Sequence, residues 1–120
     1  MKALFDTNIL IDFLNGVDVA RDELHRYDVR TISIISWMEV LVGADPATIK
    51  PVTAFLTGFE VVDLDRAVAD AAVALRRVHR MKLPDAIVWA SAQTQQSLFV
   101  TRNTKDFPTT DPGVRIPYQL

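Results

Sequence analysis

Short apolar runs alternate along this chain with longer stretches whose apolar residues recur at helical spacing, and that alternation restricts the fold more than any other feature. Lys2 to Phe5 reads as a short buried strand stopped by Asp6. Thr31 to Ile35 is β-branched and apolar, and shorter strand-like runs cover 60–63, 98–101 and 114–116. Between them the spacing predicts helices over 9–14 (capped by Thr7 or Asn8), 18–27, 36–43, 47–56, 65–80 and 85–96. In the longest of these, Val68, Ala71, Ala72, Leu75 and His79 mark the inner face. Ser36 and Glu39 have the spacing of a capping box, and Pro51 complicates the helix in which it falls. Strands that alternate with helices join through crossovers, which produces a parallel sheet covered on both faces. The expected architecture is therefore an α/β sandwich, with one domain over residues 1–120, no repeat and no linker.

Composition narrows the chemistry. About half of the residues are apolar (49%), enough for a core at this length without a covalent staple. The absence of cysteine excludes disulfides, thiolate metal sites and cysteine nucleophiles. No run approaches the ~20 apolar residues of a membrane span, and Ala3-Leu4-Phe5 is too short for a signal peptide. These features point to a soluble, cytoplasmic protein. A net charge of −2 argues against gripping nucleic acid by charge alone, but is compatible with a nuclease whose metal ions offset clustered carboxylates.

Acids stand where such a sheet would use them. Ligands of open α/β sheets bind beyond the carboxyl ends of the strands. Asp6 follows the first strand, Glu39 lies in the helix after the second, Asp85 heads a helix, and Asp106 follows the run at 98–101. Taken singly, each has an ordinary explanation: a turn or cap for Asp6, a capping box for Glu39, the helix macrodipole for Asp85, a loop acid for Asp106. Brought together, they would repel one another unless a hard divalent cation joined them. Phosphodiester hydrolysis by metal-activated water needs carboxylates rather than histidine or serine.

The residues around the acids carry a resemblance. Asp6-Thr7-Asn8-Ile9-Leu10-Ile11-Asp12, Ser36-Trp37-Met38-Glu39-Val40, Leu83-Pro84-Asp85-Ala86-Ile87-Val88-Trp89-Ala90 and Thr101-Arg102-Asn103-Thr104-Lys105-Asp106-Phe107 resemble the four motifs of PIN domains, in family order and across almost the whole chain. Length and wording look most like the VapC branch, the toxins of toxin–antitoxin pairs. The resemblance implies a PIN-like three-layer α/β/α sandwich with a small, mainly parallel sheet. It also implies a Mg²⁺-dependent (or Mn²⁺-dependent) endoribonuclease, usually dimeric and inhibited by a VapB-like antitoxin. Asp6 and Asp85 carry over as metal ligands, with Glu39 as the third catalytic acid and Asp106 as the fourth. Asn103, where many relatives have an acid, becomes a polar positioning residue. Thr7, Asn8 and Thr101 match polar positions around the site, while Asp12 reads as a cap or a solvent-facing acid.

The one dense basic run, Arg76 to Lys82, precedes Asp85, and Arg102 and Lys105 flank the last motif. These cations are candidates to hold RNA phosphates, with a solvated helix face as the alternative for Arg76 and Arg77. Trp37, Trp89, Phe13, Phe55 and Phe59 read as core or dimer packing, and His79 as bordering the core. Apolar surface for self-association and for an antitoxin is expected around 9–14 and 40–56. Two other readings stay open: a PIN nuclease acting on DNA or in RNA processing without an antitoxin, and a non-catalytic PIN-like binding module.

Overall fold

A computed structural model describes residues 1–120. Its strands are β1 (Lys2–Phe5), β2 (Val29–Ser33), β3 (Glu60–Val62), β4 (Leu98–Val100) and β5 (Val114–Arg115). They form one sheet in the order β3-β2-β1-β4-β5, and every neighbouring pair is parallel. The helices are α1 (Thr7–Leu14), α2 (Asp18–His25), α3 (Ile34–Val42), α4 (Ile49–Leu56), α5 (Arg66–His79) and α6 (Leu83–Thr94).

Side chains of a strand alternate between its two faces, and here each face has its own core. Leu4 and Phe99 pack with Val68, Leu75 and Trp89 against α5 and α6, whereas Ala3, Phe5 and Val100 pack with Ile9, Leu10, Leu24 and Val40 against the helices of the other side. The result is the three-layer α/β/α sandwich expected from the alternation of elements. Trp89 is buried against Phe107, while Phe13 stacks on Phe55 with ring centres 4.7 Å apart. Trp37 is half-buried against the second core. No helix is long and apolar enough to cross a membrane.

Several local expectations are corrected. The cap of α1 is Asp6, whose carboxylate accepts from the Thr7 amide at 2.8 Å, rather than Thr7 or Asn8. Strand β2 stops at Ser33, which itself caps α3, so Ser36 falls inside the first turn and makes no capping box with Glu39. Pro51 is accommodated because it is the third residue of α4, where its missing N–H has no intrahelical acceptor to lose. His79, on the expected inner face of α5, is exposed there and borders the core only through its ring, 5.0 Å from that of Trp89.

Candidate active site

Chain order places the site. Successive strands run outward from β1 through β2 to β3, after which the chain returns to the far side of β1 with β4 and β5. The β1/β4 junction is thus a topological switch point, where the loops part and leave a crevice beyond the strand ends. Phe5 is in register with Val100, so the next residues of the two strands, Asp6 and Thr101, stand side by side at that crevice.

Asp6 is buried, and its carboxylate is held from three directions. The Thr7 amide donates to one oxygen, while the Thr101 hydroxyl at 2.8 Å and the Asn8 amide at 3.3 Å donate to the other. Thr101 Oγ1 also accepts from the Asn8 side chain and from the Asn103 amide at 3.0 Å. One donor and two acceptor sites are all a hydroxyl has, so Thr101 is fully used and cannot turn away. No cationic side chain is paired with Asp6. Desolvation, partly opposed by the Thr101 and Thr7 hydrogen bonds and reinforced by the charges of Asp85 and Glu39, raises its pKa from 3.8 to about 6.

The other acids arrive on separate elements. Asp85 lies in the first turn of α6, half-buried, and its pKa is raised by desolvation and by the carboxylates of Asp106 and Glu39, against the opposing charge of Lys82. Glu39, on an exposed position of α3, is tied across to α1 by Thr7 Oγ1 at 2.7 Å, with Ser36 Oγ 2.8 Å from the same hydroxyl. Thr7 has one proton; if it goes to the carboxylate, Ser36 donates to Thr7, and the chain Ser36–Thr7–Glu39 fixes the acid's direction. Asn103 organises the last loop: its side-chain oxygen accepts from the amides of Lys105 and Asp106, and its amide donates to the Asp106 carboxylate at 3.0 Å. Asn103 and Asp106 are therefore partners, one holding the other.

Electrostatic coupling links Asp6 to Asp85 and Glu39, and Asp85 to Asp106 and Glu39, so acids from four regions of the sequence feel one another. No three His, Asp or Glu side chains converge on a single point as a ready-made coordination sphere. The roomiest concavity, about 390 Å³, lies elsewhere, between α1, α3 and α4, lined by Ile11, Leu14, Val40, Ala44 and Pro51 among others.

Two features were not anticipated. Asp12 is buried and receives two bonds from Arg102, at 2.6 and 2.8 Å, and one from the Tyr118 hydroxyl at 2.7 Å. Asp12 is neither a cap nor solvent-facing, and Arg102 is bound to it rather than standing free for phosphate. The pair joins α1 to the loop that follows β4, where the Arg102 amide also faces Asn8 Oδ1 at 3.4 Å. A second group has the same make-up: Glu23 accepts from Arg115 at 2.7 and 3.0 Å and from Tyr27 at 2.7 Å. Partners separated by about ninety residues leave no local pattern to read.

The sequence profile of the PIN domain matches residues 3–111. Among solved structures, a toxin–antitoxin complex from Klebsiella pneumoniae contains a chain 43% identical to this one, with a TM-score of 0.92 over 99% of this chain and 100% of that chain. A DNA-bound VapBC from Salmonella typhimurium matches at 24% identity and TM-score 0.74, covering 96% of each chain. A VapBC complex of Rickettsia felis bound to promoter DNA matches at 20% identity and TM-score 0.79, covering 95% of this chain and 96% of that one. These last two likenesses concern the fold. Comparison with curated protein sequences finds no match.

Proposed function

The chain belongs to the PIN-domain family, and from that premise we propose that it is a metal-dependent endoribonuclease, the toxin of a type II toxin–antitoxin pair. The observation that carries the reading is Asp6: a buried carboxylate at the switch point that feels the charges of Asp85 and Glu39 and is paired with no cation. Burying a carboxylate beside its own kind is costly unless a cation completes the arrangement. All the donors are oxygens, which fits Mg²⁺, with Mn²⁺ also compatible.

In this reading Asp6 and Asp85 hold the metal, and Glu39 and Asp106 complete the acidic ring. When bound, the ion supplies an acidified water and offsets the negative charge that builds on the phosphate. The chain's own residues set the geometry. Thr101 and Asn8 keep Asp6 facing the crevice, Thr7 directs Glu39, and Asn103 directs Asp106. Lys105, beside Asp106 and exposed, is placed to meet a flanking phosphate. Water as nucleophile leaves 5′-phosphate and 3′-hydroxyl ends and makes no use of the 2′-hydroxyl, so the preference for RNA must reside in binding. An open crevice rather than an enclosed pocket suits a polymer that has to lie across it.

The partner follows from the kinship with a chain found in a toxin–antitoxin complex. We assign this protein a VapB-like antitoxin, a homodimeric state and a cytoplasmic location, in a single domain over residues 1–120. The apolar groove between α1, α3 and α4, with Leu14 and Val42 exposed beside it, offers the surface expected for association.

Mapping of RNA ends after brief induction tests the nuclease. New 5′-phosphate ends should appear with the wild type and be missing with both Asp6→Ala and Asp85→Asn. The same ends with all three proteins would defeat the site assignment. Cleavage of DNA in place of RNA by the purified protein would favour the alternative nuclease.

A further inference from the structure

The end of α5 and the turn into α6 carry Arg76, Arg77, Arg80 and Lys82 without an intervening acid, in a chain whose overall charge is −2. None of them forms an ion pair, whereas Arg21, Arg26, Arg66, Arg102 and Arg115 each have a carboxylate partner. The macrodipole of α5 accounts for cations in its last turn. It does not call for Arg80 and Lys82, which lie beyond the helix.

The turn is also firmly built. Met81 is buried in the core, and its carbonyl accepts from the Arg76 guanidinium at 2.7 Å, while the Arg80 amide closes onto the Arg76 carbonyl at 2.8 Å. Arg80 and Lys82 therefore flank an anchored residue, and both are exposed together with Arg77. The turn leads directly into α6, where the charge of Lys82 is felt at Asp85. Exposed, unpaired cations on an anchored stretch of backbone that leads toward acidic side chains are what a polyanion needs if it is to approach those acids at all.

We propose that this turn is a phosphate-binding corner that leads the backbone of single-stranded RNA to the acids, through Arg77, Arg80 and Lys82. Three exposed cations within residues 77–82 suit a single phosphate backbone. The proposal rests on the nuclease reading for its direction toward Asp85, but its test does not depend on cleavage.

The backbone supplies an unusual control. Arg80 ends α5 in the left-handed region (φ 56, ψ 31), where glycine is easier than arginine. Arg80→Gly should therefore raise Tm while weakening RNA binding, a combination that loss of structure cannot produce. Binding of a labelled single-stranded RNA oligonucleotide of mixed sequence, followed by fluorescence anisotropy in EDTA over a salt series, compares the wild type with Arg77→Gln/Arg80→Gly. Affinity should fall several-fold, and the log–log salt slope should shrink by about 1.4, at roughly 0.7 for each phosphate on a single strand that the protein no longer neutralises. Lys50→Gln, at an exposed unpaired cation on α4, should change neither. Unchanged affinity and slope in the double variant, or a wild type that binds no RNA, would overturn the corner. Asp6-dependent cleavage persisting in that case would leave the nuclease reading standing. Weakened binding with no cleavage by any form would support the corner and remove the nuclease.

Discussion

Replacing Asp6 by Asn separates what the buried carboxylate costs the fold from what it does for the reaction. Its pKa is about 6 in the folded chain against an ordinary 3.8, because desolvation and the neighbouring acids favour the protonated form. Below 3.8 both states carry the proton and Asp6 is neutral to stability; as pH rises through 6 the folded state must also ionise, and the full penalty applies. At about 1.4 kcal/mol per pH unit, that penalty is roughly 1.6 kcal/mol at pH 5 and about 3 kcal/mol at pH 8. Asn never ionises, so it escapes the penalty. It loses the acceptor for the Thr101 hydroxyl, worth about 1 kcal/mol at any pH. Urea unfolding in EDTA should therefore show Asp6→Asn gaining on the wild type by about 1.4 kcal/mol between pH 5 and pH 8. Adding Mg²⁺ should then stabilise the wild type and leave the variant where it was, since only a state that binds the ion gains from it. A stability difference that is the same at both pH values would refute the argument that Asp6 is held against its charge.

Other outcomes can be stated more briefly. Arg102→Met, which leaves the buried Asp12 carboxylate with only Tyr118, should destabilise by on the order of 3 kcal/mol in chemical denaturation. Hydrogen bonds from Arg102 hold the Asp12 carboxyl below its usual range, so its stabilisation is present above pH ~4 and lost as pH falls through the lowered value. Burial pushes Glu23 up but Arg115 and Tyr27 outweigh it, with the same sign, and Asp12→Asn should flatten the acid limb of a pH–stability curve. Thr7→Val should cut cleavage about tenfold and lower stability by about 1 to 2 kcal/mol, because it frees Glu39 and leaves the buried Ser36 hydroxyl without its partner. Trp89→Ala should cost about 3 to 5 kcal/mol in urea, as befits a large buried aromatic.

The strand–helix alternation and the order of the acids were legible because both are local: apolar runs, helical spacing, and an acid just past a strand. The parallel sheet followed from them. Cap identity was harder. Ser36 has the right residue type for a cap, but β2 ends before Ile34, and Ser33 takes that position while Ser36 turns to Thr7. Asp6 hid a double role, since the residue that caps α1 is also the one turned toward the crevice. Asp12 could not be read as the partner of Arg102, because ninety residues separate them and only the assembled sheet brings them together. His79 shows the limit of periodicity, which reports the face of a helix but not where its last turn leaves the core.

The bond between Asp6 and Thr101 spans 95 positions of sequence. During translation Asp6 emerges long before its hydroxyl partner, and β4, which holds Thr101 in place, is made later still than α6. Growing polypeptides fold from the amino end as units are completed. An emerging chain therefore carries its first carboxylate beside Thr7 and Asn8 but without the Thr101 hydroxyl, and its acids can come together only after β4 and the loop that follows it have been made.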